Sequence, residues 1–89
     1  MNDKEKLGRV FGIYSVKDEL TGFFHEPVFI ETDKEAQRWF KFVINNNRIW
    51  HSNASMYNFY LIGYFDEKNG IKEIKEPEMI CGGLAVKEE

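Results

Sequence analysis

The sequence has little of several features that would point to a particular chemistry. Its 89 residues include one cysteine, Cys81, and two prolines. A single thiol excludes an intramolecular disulfide framework. No apolar run approaches the roughly 18 residues that a membrane span requires, and the charged first residues lack the apolar segment of a signal peptide. These absences predict a soluble protein with no membrane partner, located in the cytoplasm.

Positive charge is also scarce. Twelve basic residues against 15 acidic ones give a net charge of −3. A strong non-specific nucleic-acid binder usually carries a basic excess, because its Lys and Arg side chains displace the counterions of the phosphates. The overall charge therefore argues against such a binder, although it leaves room for a local basic patch.

Motifs for catalysis, metals and cofactors are missing as well. The soft ligands His25, His51 and Cys81 do not have the close spacing of a zinc site. There is no Gly-rich phosphate-binding sequence, and no serine lies in a nucleophile-elbow context. The adjacent carboxylates at 18–19 and 66–67 fall in predicted turns, where both should stay solvated. The sequence thus predicts a protein that is not an enzyme and holds no metal or cofactor.

Aromatic residues are abundant, at 16% of the chain, and they lie in segments typical of β-strands. Residues 10–16 and 23–30 predict a first hairpin, whose second strand should be an edge or be broken at Pro27. Residues 59–65 and 71–74 predict a second hairpin, which turns at Asn69 and Gly70. Residues 79–86 predict a short last strand.

One helix is indicated between the two hairpins. Thr32 and Glu35 have the spacing of a capping box. Apolar residues then recur at the spacing of one helix face, at positions 36, 39, 40, 43 and 44. The asparagines at 45–47 should end the helix, and the polar segment 48–58 should be a packed loop.

Together these elements predict a single α+β domain over residues 1–89, with residues 1–7 and 87–89 frayed. We expect an antiparallel sheet of four to five strands in two hairpins, in the order β-β-α-β-β, with the helix packed on one face. Alternation along the third strand assigns two sets of side chains to its opposite faces. The packing face would carry Phe59, Leu61, Gly63 and Phe65, and the second face Tyr60, Ile62 and Tyr64, joined by Tyr14 from the first strand.

The uncovered sheet face has two interpretations. Exposed aromatic rings beside cations are typical of single-stranded DNA binders, and the candidate nucleic-acid-binding residues are Lys17, Arg38, Lys41, Arg48, Trp50 and Tyr60. An exposed apolar patch equally marks an interface between protein chains. The candidate oligomer-interface residues are Tyr14, Ile62 and Tyr64.

Three segments, in this order, resemble the small nonstructural protein of gokushovirus-type microviruses, which are single-stranded DNA phages. They are "IYSVKDELTGFF", "ETDKEAQRWFKFVINN" and "NFYLIGYFDEKNGIKEI". The positions that match the motifs of that family are Tyr14, Ser15, Lys17, Asp18, Thr21, Gly22, Ala36, Arg38, Phe40, Tyr57, Phe59, Tyr60, Ile62, Gly63, Phe65, Asp66 and Gly70. The segment "HSNASMYN" departs from the family pattern, because it lacks the Pro and Asp that often precede the third strand.

The resemblance implies a non-capsid phage protein in the host cytoplasm that binds DNA or takes part in single-stranded DNA synthesis and packaging, and it supplies no catalytic residues. Two alternatives stay open. One is a homo-oligomeric module that recruits other phage or host proteins and does not bind DNA. The other is an inhibitor that sequesters a host signalling nucleotide at an oligomer interface.

Overall fold

A computed structural model describes residues 8–89, apart from the side chain of Lys72. The predicted fraying of residues 1–7 lies outside the described residues. The strands are β1 (Val10–Asp18), β2 (Phe23–Phe24), β3 (Val28–Ile30), β4 (Tyr57–Asp66) and β5 (Gly70–Gly82). The helices are α1 (Asp33–Asn46), α2 (Arg48–Ser52) and α3 (Gly83–Val86), and a 3-10 turn spans Ala54–Met56.

The five strands form one antiparallel sheet in the order β2-β1-β4-β5. Strand β3 pairs with β1 on the same edge as β2, but nearer to the start of β1. The predicted α+β class and antiparallel sheet are confirmed, and the two-hairpin pattern is approximately right. The second predicted strand is interrupted between β2 and β3, at the segment that contains Pro27. Proline cannot donate to a ladder, so a break at this position is expected.

Helix α1 begins where the sequence predicts. The hydroxyl of Thr32 accepts a hydrogen bond from the amide of Glu35 at 3.1 Å, and Asp33 and Glu35 stand in the first turn. Both features stabilise the start of a helix, because they satisfy a free amide and complement the helix dipole. The face that α1 turns to the sheet buries Ala36, Phe40 and Ile44.

The core lies between α1 and the middle of the sheet. The ring of Phe59 stacks on Phe40 at 4.7 Å and on Tyr14 at 5.4 Å between centroids. Phe40 and Phe59 are fully buried, and Tyr14 is 2% exposed. Burying an aromatic side chain of this size contributes about 1.5–3 kcal/mol, so these three rings hold α1, β1 and β4 together.

A β-bulge in β4 changes which residues share a face. Ile13 lies opposite Gly63, whereas the next residue, Tyr14, lies opposite Leu61. Ile62 is therefore the extra residue of the bulge. Because successive side chains alternate between the two faces, an extra residue exchanges the faces of everything beyond it.

Tyr64 and Phe65 have exchanged places as a result. Tyr64 lies opposite Gly12 and packs against the helix-covered core. Phe65 lies opposite Phe11 on the other side of the sheet. The predictions that Phe65 and Gly63 continue the packing face, and that Tyr64 lies on the uncovered face, are therefore wrong.

The prediction that Tyr14 faces away from the helix is also wrong. Its ring belongs to the buried core, and its hydroxyl donates a hydrogen bond to Asp33 at the start of α1. Ser15 and Lys17, its neighbours on the opposite face of β1, point away from the helix. Tyr14 is thus a packing residue and is removed from the candidate interface.

Two further segments differ from prediction. Residues 48–56 form α2 and the 3-10 turn, not an irregular loop, and the Asn47 side chain accepts from the amide of Trp50 at 3.0 Å to start α2. β5 continues past Pro77 to Gly82, so residues 79–82 of the predicted last strand belong to β5 and α3 replaces only its second half. Proline is tolerated here because β5 is the terminal strand of the sheet and its register is irregular.

Candidate functional site

The outer side of α1 and α2 is basic, although the whole chain has a net charge of −3. Residues 33–53 contain four basic residues, Lys34, Arg38, Lys41 and Arg48, against two acidic ones. All four basic side chains are exposed. The acidic excess therefore lies in the rest of the chain, which includes Glu88 and Glu89 beside these helices.

The cations on the outer side of α1 and α2 do not all form ion pairs. Lys41 forms an exposed ion pair with Glu88 at 3.2 Å. Within residues 8–89, the structure shows no ion pair or hydrogen bond for the side chain of Arg38 or Arg48. Two guanidinium groups are thus open to an anion from solution.

A groove of about 790 Å³ lies where α1 and α2 meet the edge strands of the sheet. It is lined by Phe24, His25, Glu26, Pro27, Val28, Trp39 and Trp50. We call the exposed outer side of α1 and α2, together with this groove, the helical surface. The groove is aromatic on the helix side and contains one carboxylate, that of Glu26.

The two indoles of the groove are held in place by rings behind them. Trp50 stacks on Tyr57 at 4.9 Å with an interplanar angle of 20°, and His25 lies 4.8 Å from it. Trp39 lies 5.7 Å from the buried ring of Phe59. Both tryptophans remain partly exposed. They are rigid apolar surfaces, which lose little conformational entropy when a flat ligand stacks on them.

The C-terminal segment packs beside α1. The amide of Glu88 donates to Asn45 at 2.6 Å, and Asn45 donates to the carbonyl of Val86 at 2.9 Å. A polar hollow of about 480 Å³ is lined by Arg48 together with Glu88 and Glu89, so one side of Arg48 faces carboxylates. These carboxylates make that hollow unsuitable for an anion, so we do not include it in the helical surface.

Lys17 and Tyr60 lie on the opposite side of the sheet. The carboxylate of Glu19 accepts from the Tyr60 hydroxyl at 2.7 Å and from the Asn58 amide at 2.8 Å, and it pairs with Lys17 at 3.7 Å. The hydrogen bond from Asn58 has the largest effect of these contacts, which together lower the pKa of Glu19 below its usual value. The hydrogen bond that the Tyr60 hydroxyl donates to Glu19 raises the pKa of Tyr60.

The six candidate nucleic-acid-binding residues are therefore divided between two surfaces. Arg38, Lys41, Arg48 and Trp50 lie together on the helical side. Lys17 and Tyr60 lie in the Glu19 network on the uncovered side, where Lys17 also stands over the Tyr60 ring at 5.8 Å. Phe24 lies between the two groups, because it lines the groove with Trp50 and its ring is 5.5 Å from the Lys17 ammonium and 5.6 Å from the Tyr60 ring.

The uncovered side of the sheet is mostly apolar. We call it the open face, and its apolar members are Phe11, Ile13, Phe24, Phe29, Ile62, Phe65, Ile71, Ile74 and Met79. Phe65 contacts Phe11 at 6.4 Å and Phe29 at 5.4 Å. Ile62, a predicted interface residue, lies on this face and lines a hollow of about 440 Å³.

The sequence interpretation missed several exposed members of the open face. Phe29, Ile71, Ile74 and Met79 are 47%, 55%, 76% and 51% exposed. Phe29 is placed by its pairing with Ile13 in the β1–β3 ladder, and the positions of the other three depend on irregularities in the β4–β5 register at three places. Nothing in the local sequence marks those irregularities except Pro77, so the alternation rule alone cannot assign these faces.

Within residues 8–89, no three His, Cys, Asp or Glu side chains are grouped as a metal site. In the same part of the chain, no helix is long and apolar enough to cross a membrane. Burial raises the pKa of the Cys81 thiol, which favours the unreactive protonated form.

The fold and its two surfaces define a small α+β protein with one helix-covered sheet face and one open face. A comparison with protein families matches residues 11–86 to the phage ORF5 protein family. The chain belongs to this family. No curated protein and no solved structure shows a significant match. The resemblance to a phage protein is thus confirmed at the level of a phage family.

Proposed function

We propose that this phage protein is a non-catalytic accessory protein that binds single-stranded DNA through the helical surface. It would act in the host cytoplasm during replication or packaging of a microvirus genome. The observation that carries the proposal is the pairing of free guanidinium groups with tryptophans. Helices α1 and α2 each carry one such arginine, Arg38 or Arg48, and one tryptophan, Trp39 or Trp50, and both indoles line one groove.

The cations of α1 suit a phosphate backbone. Lys34, Arg38 and Lys41 are separated by four and three residues, so they form a row along one side of the helix. At 1.5 Å of rise per residue the row is about 10 Å long, which is enough for a few nucleotides. The local basic excess of residues 33–53 makes binding there possible in a chain whose net charge is negative.

The groove suits the bases. Base stacking on an exposed aromatic ring contributes about 1–3 kcal/mol and does not depend on sequence. The carboxylate of Glu26 in the groove disfavours a phosphate there. We therefore place the backbone over the basic side of α1 and an unstacked base against Trp39 and Trp50.

The test is a titration with an oligothymidylate of about 15 nucleotides, followed by intrinsic fluorescence and by anisotropy of a labelled strand. The chain has two tryptophans, and both line the groove, so quenching by a stacked base reports on this site. We expect quenching and an affinity that falls as salt is raised, with a slope of about −3 for four phosphate contacts.

Three results would contradict the proposal. These are no binding at about 100 μM protein in low salt, an affinity that does not depend on salt, and binding without a change in tryptophan fluorescence. If a mononucleotide quenched the tryptophans as strongly as the oligonucleotide at equal concentration, the nucleotide-sequestering alternative would replace DNA binding. Lys68→Ala is the matched control, because Lys68 is an exposed cation in the β4–β5 turn.

A further inference from the structure

We infer that the open face is an interface with a second copy of this chain. The inference uses the other side of the sheet from α1, and of the open-face residues named above Phe24 also lines the groove. Helices cover the first face and bury its rings, whereas no helix lies on the open face among the described residues, although Ile13 near its middle is 6% exposed. An apolar patch of this kind on a soluble protein marks an interaction site.

The exposed apolar area has the size that a dimer needs. Phe24, Phe29, Ile71, Ile74 and Met79 are each between 39% and 76% exposed. Given the areas of such side chains, the open face presents about 500 Å² of apolar surface. A standard interface buries about 800 Å² per partner, of which somewhat over half is apolar. One copy therefore offers about the apolar area that an equal partner would cover.

The charges around the open face favour a neutral partner. Arg9 pairs with Glu31 and Glu67 at 3.1 Å each. Lys17 pairs with Glu19 at 3.7 Å, and Lys75 pairs with Glu78. A polyanion would have to displace these carboxylates to reach the cations. A second copy would not have to break these pairs, in which three cations face four carboxylates, because it would cover the apolar residues between them.

The β5 edge of the sheet is a poor alternative interface. β5 is a terminal strand, and its pairing with β4 is interrupted by register shifts at three places. It also contains Pro77, which has no amide proton to donate. Bulges, prolines and charged residues are the features that prevent edge strands from pairing with another chain. Association through the face is therefore favoured over extension of the sheet.

The shape of the open face allows an isologous contact. It has two apolar hollows, one of about 400 Å³ at Phe11, Phe29 and Phe65 and one of about 440 Å³ beside Ile62. Ile74 is 76% exposed and therefore projects from the same face. In a two-fold dimer each copy supplies both projections and hollows, as self-complementary interfaces require.

The test is the mass in solution, measured by light scattering or sedimentation equilibrium at about 50 μM, a concentration at which interfaces of standard size are populated. We expect the wild type at twice its chain mass of 10.5 kDa and the Ile74→Asp variant at the chain mass. Ile74 is largely exposed, so this substitution should leave the fold intact, which circular dichroism checks. Phe42→Asp, at a residue that is 63% exposed on α1, is the matched control and should stay dimeric.

Two results would overturn the inference. A wild-type protein of 10.5 kDa at this concentration would exclude the dimer. An Ile74→Asp variant that keeps the dimer mass would place the interface elsewhere. If Ile74→Asp fails to fold, the mass of the Met79→Asp variant tests the same interface. If the wild type were monomeric and Ile74→Asp abolished oligonucleotide binding, the open face would be a DNA surface instead.

Discussion

Tyr64 lies opposite Gly12 in the β1–β4 ladder, on the side of the sheet that α1 covers. The ring of Tyr14 occupies the space above Gly12, where a side chain would otherwise project. Gly12 is therefore the position that allows two tyrosines to pack on the helix-covered side. The open face loses both tyrosines through this arrangement and keeps phenylalanines and isoleucines.

Gly12→Ala should destabilise the protein by about 1–3 kcal/mol, as overpacking of a filled core does. A Cβ atom there would lie 2.5 Å from Cε2 of Tyr14. The ring cannot move aside easily, because it is stacked on Phe59 and hydrogen-bonded to Asp33. Urea unfolding measures the change, and a loss below about 0.5 kcal/mol would show that the ring is not fixed.

Tyr14→Phe should cost about 1–2 kcal/mol at neutral pH, because the hydrogen bond to Asp33 is lost. Burial, followed by that bond, raises the pKa of Tyr14 above the usual value of 10.0. A raised pKa means that the unfolded state ionises first. The stabilisation is therefore complete below about pH 10 and is lost as pH rises towards the folded-state pKa.

Urea unfolding of wild type and Tyr14→Phe at about pH 8 and pH 11 checks this assignment. The difference in free energy of unfolding between the two proteins should shrink at the higher pH. A constant difference would mean that Tyr14 does not titrate abnormally.

Asn47→Ala should destabilise the protein by about 1 kcal/mol, because the N-cap bond of α2 to the amide of Trp50 is lost. Since α2 also carries Arg48, the variant should bind the oligonucleotide less tightly. Asn47→Ser keeps a capping side chain and serves as the control. Thermal unfolding measures the first effect and anisotropy the second, and equal behaviour of the two variants would contradict the role of the cap.

Lys17→Ala and Tyr60→Ala should change oligonucleotide affinity by less than about twofold, which is within the effect of a remote charge. Both residues were candidates for nucleic-acid binding, but both belong to the Glu19 network on the open face. The same anisotropy titration tests this expectation. A larger loss for either variant would move the DNA site away from the helical surface.

Much of the fold follows from local sequence signals. Thr32, Glu35 and the apolar spacing of α1 are short-range features, so the helix could be predicted within a few residues. The hairpin turn at Asn69 and Gly70 is equally local. Gly70 has a φ of 87°, which other residues rarely adopt.

The faces of the sheet could be predicted only as far as Leu61. The bulge at Ile62 depends on pairing with β1, and apolar residues on both sides of it fit either face. Helix α2 had a local signal in Asn47, which caps it, although a helix of five residues is too short to show periodicity. The Trp39–Trp50 groove required the folded chain, because β2, β3 and the helices meet there.

The central claim is that DNA binding and self-association use opposite sides of one sheet. The most direct test measures both oligonucleotide affinity and mass for two variants, Arg38→Ala/Arg48→Ala and Ile74→Asp. We predict that the arginine variant loses affinity, with a salt slope smaller by about 1.4, and keeps the dimer mass. We predict that Ile74→Asp falls to 10.5 kDa and keeps tryptophan quenching by the oligonucleotide. If Ile74→Asp lost quenching, or if the arginine variant bound DNA as the wild type does, the separation of the two surfaces would be wrong.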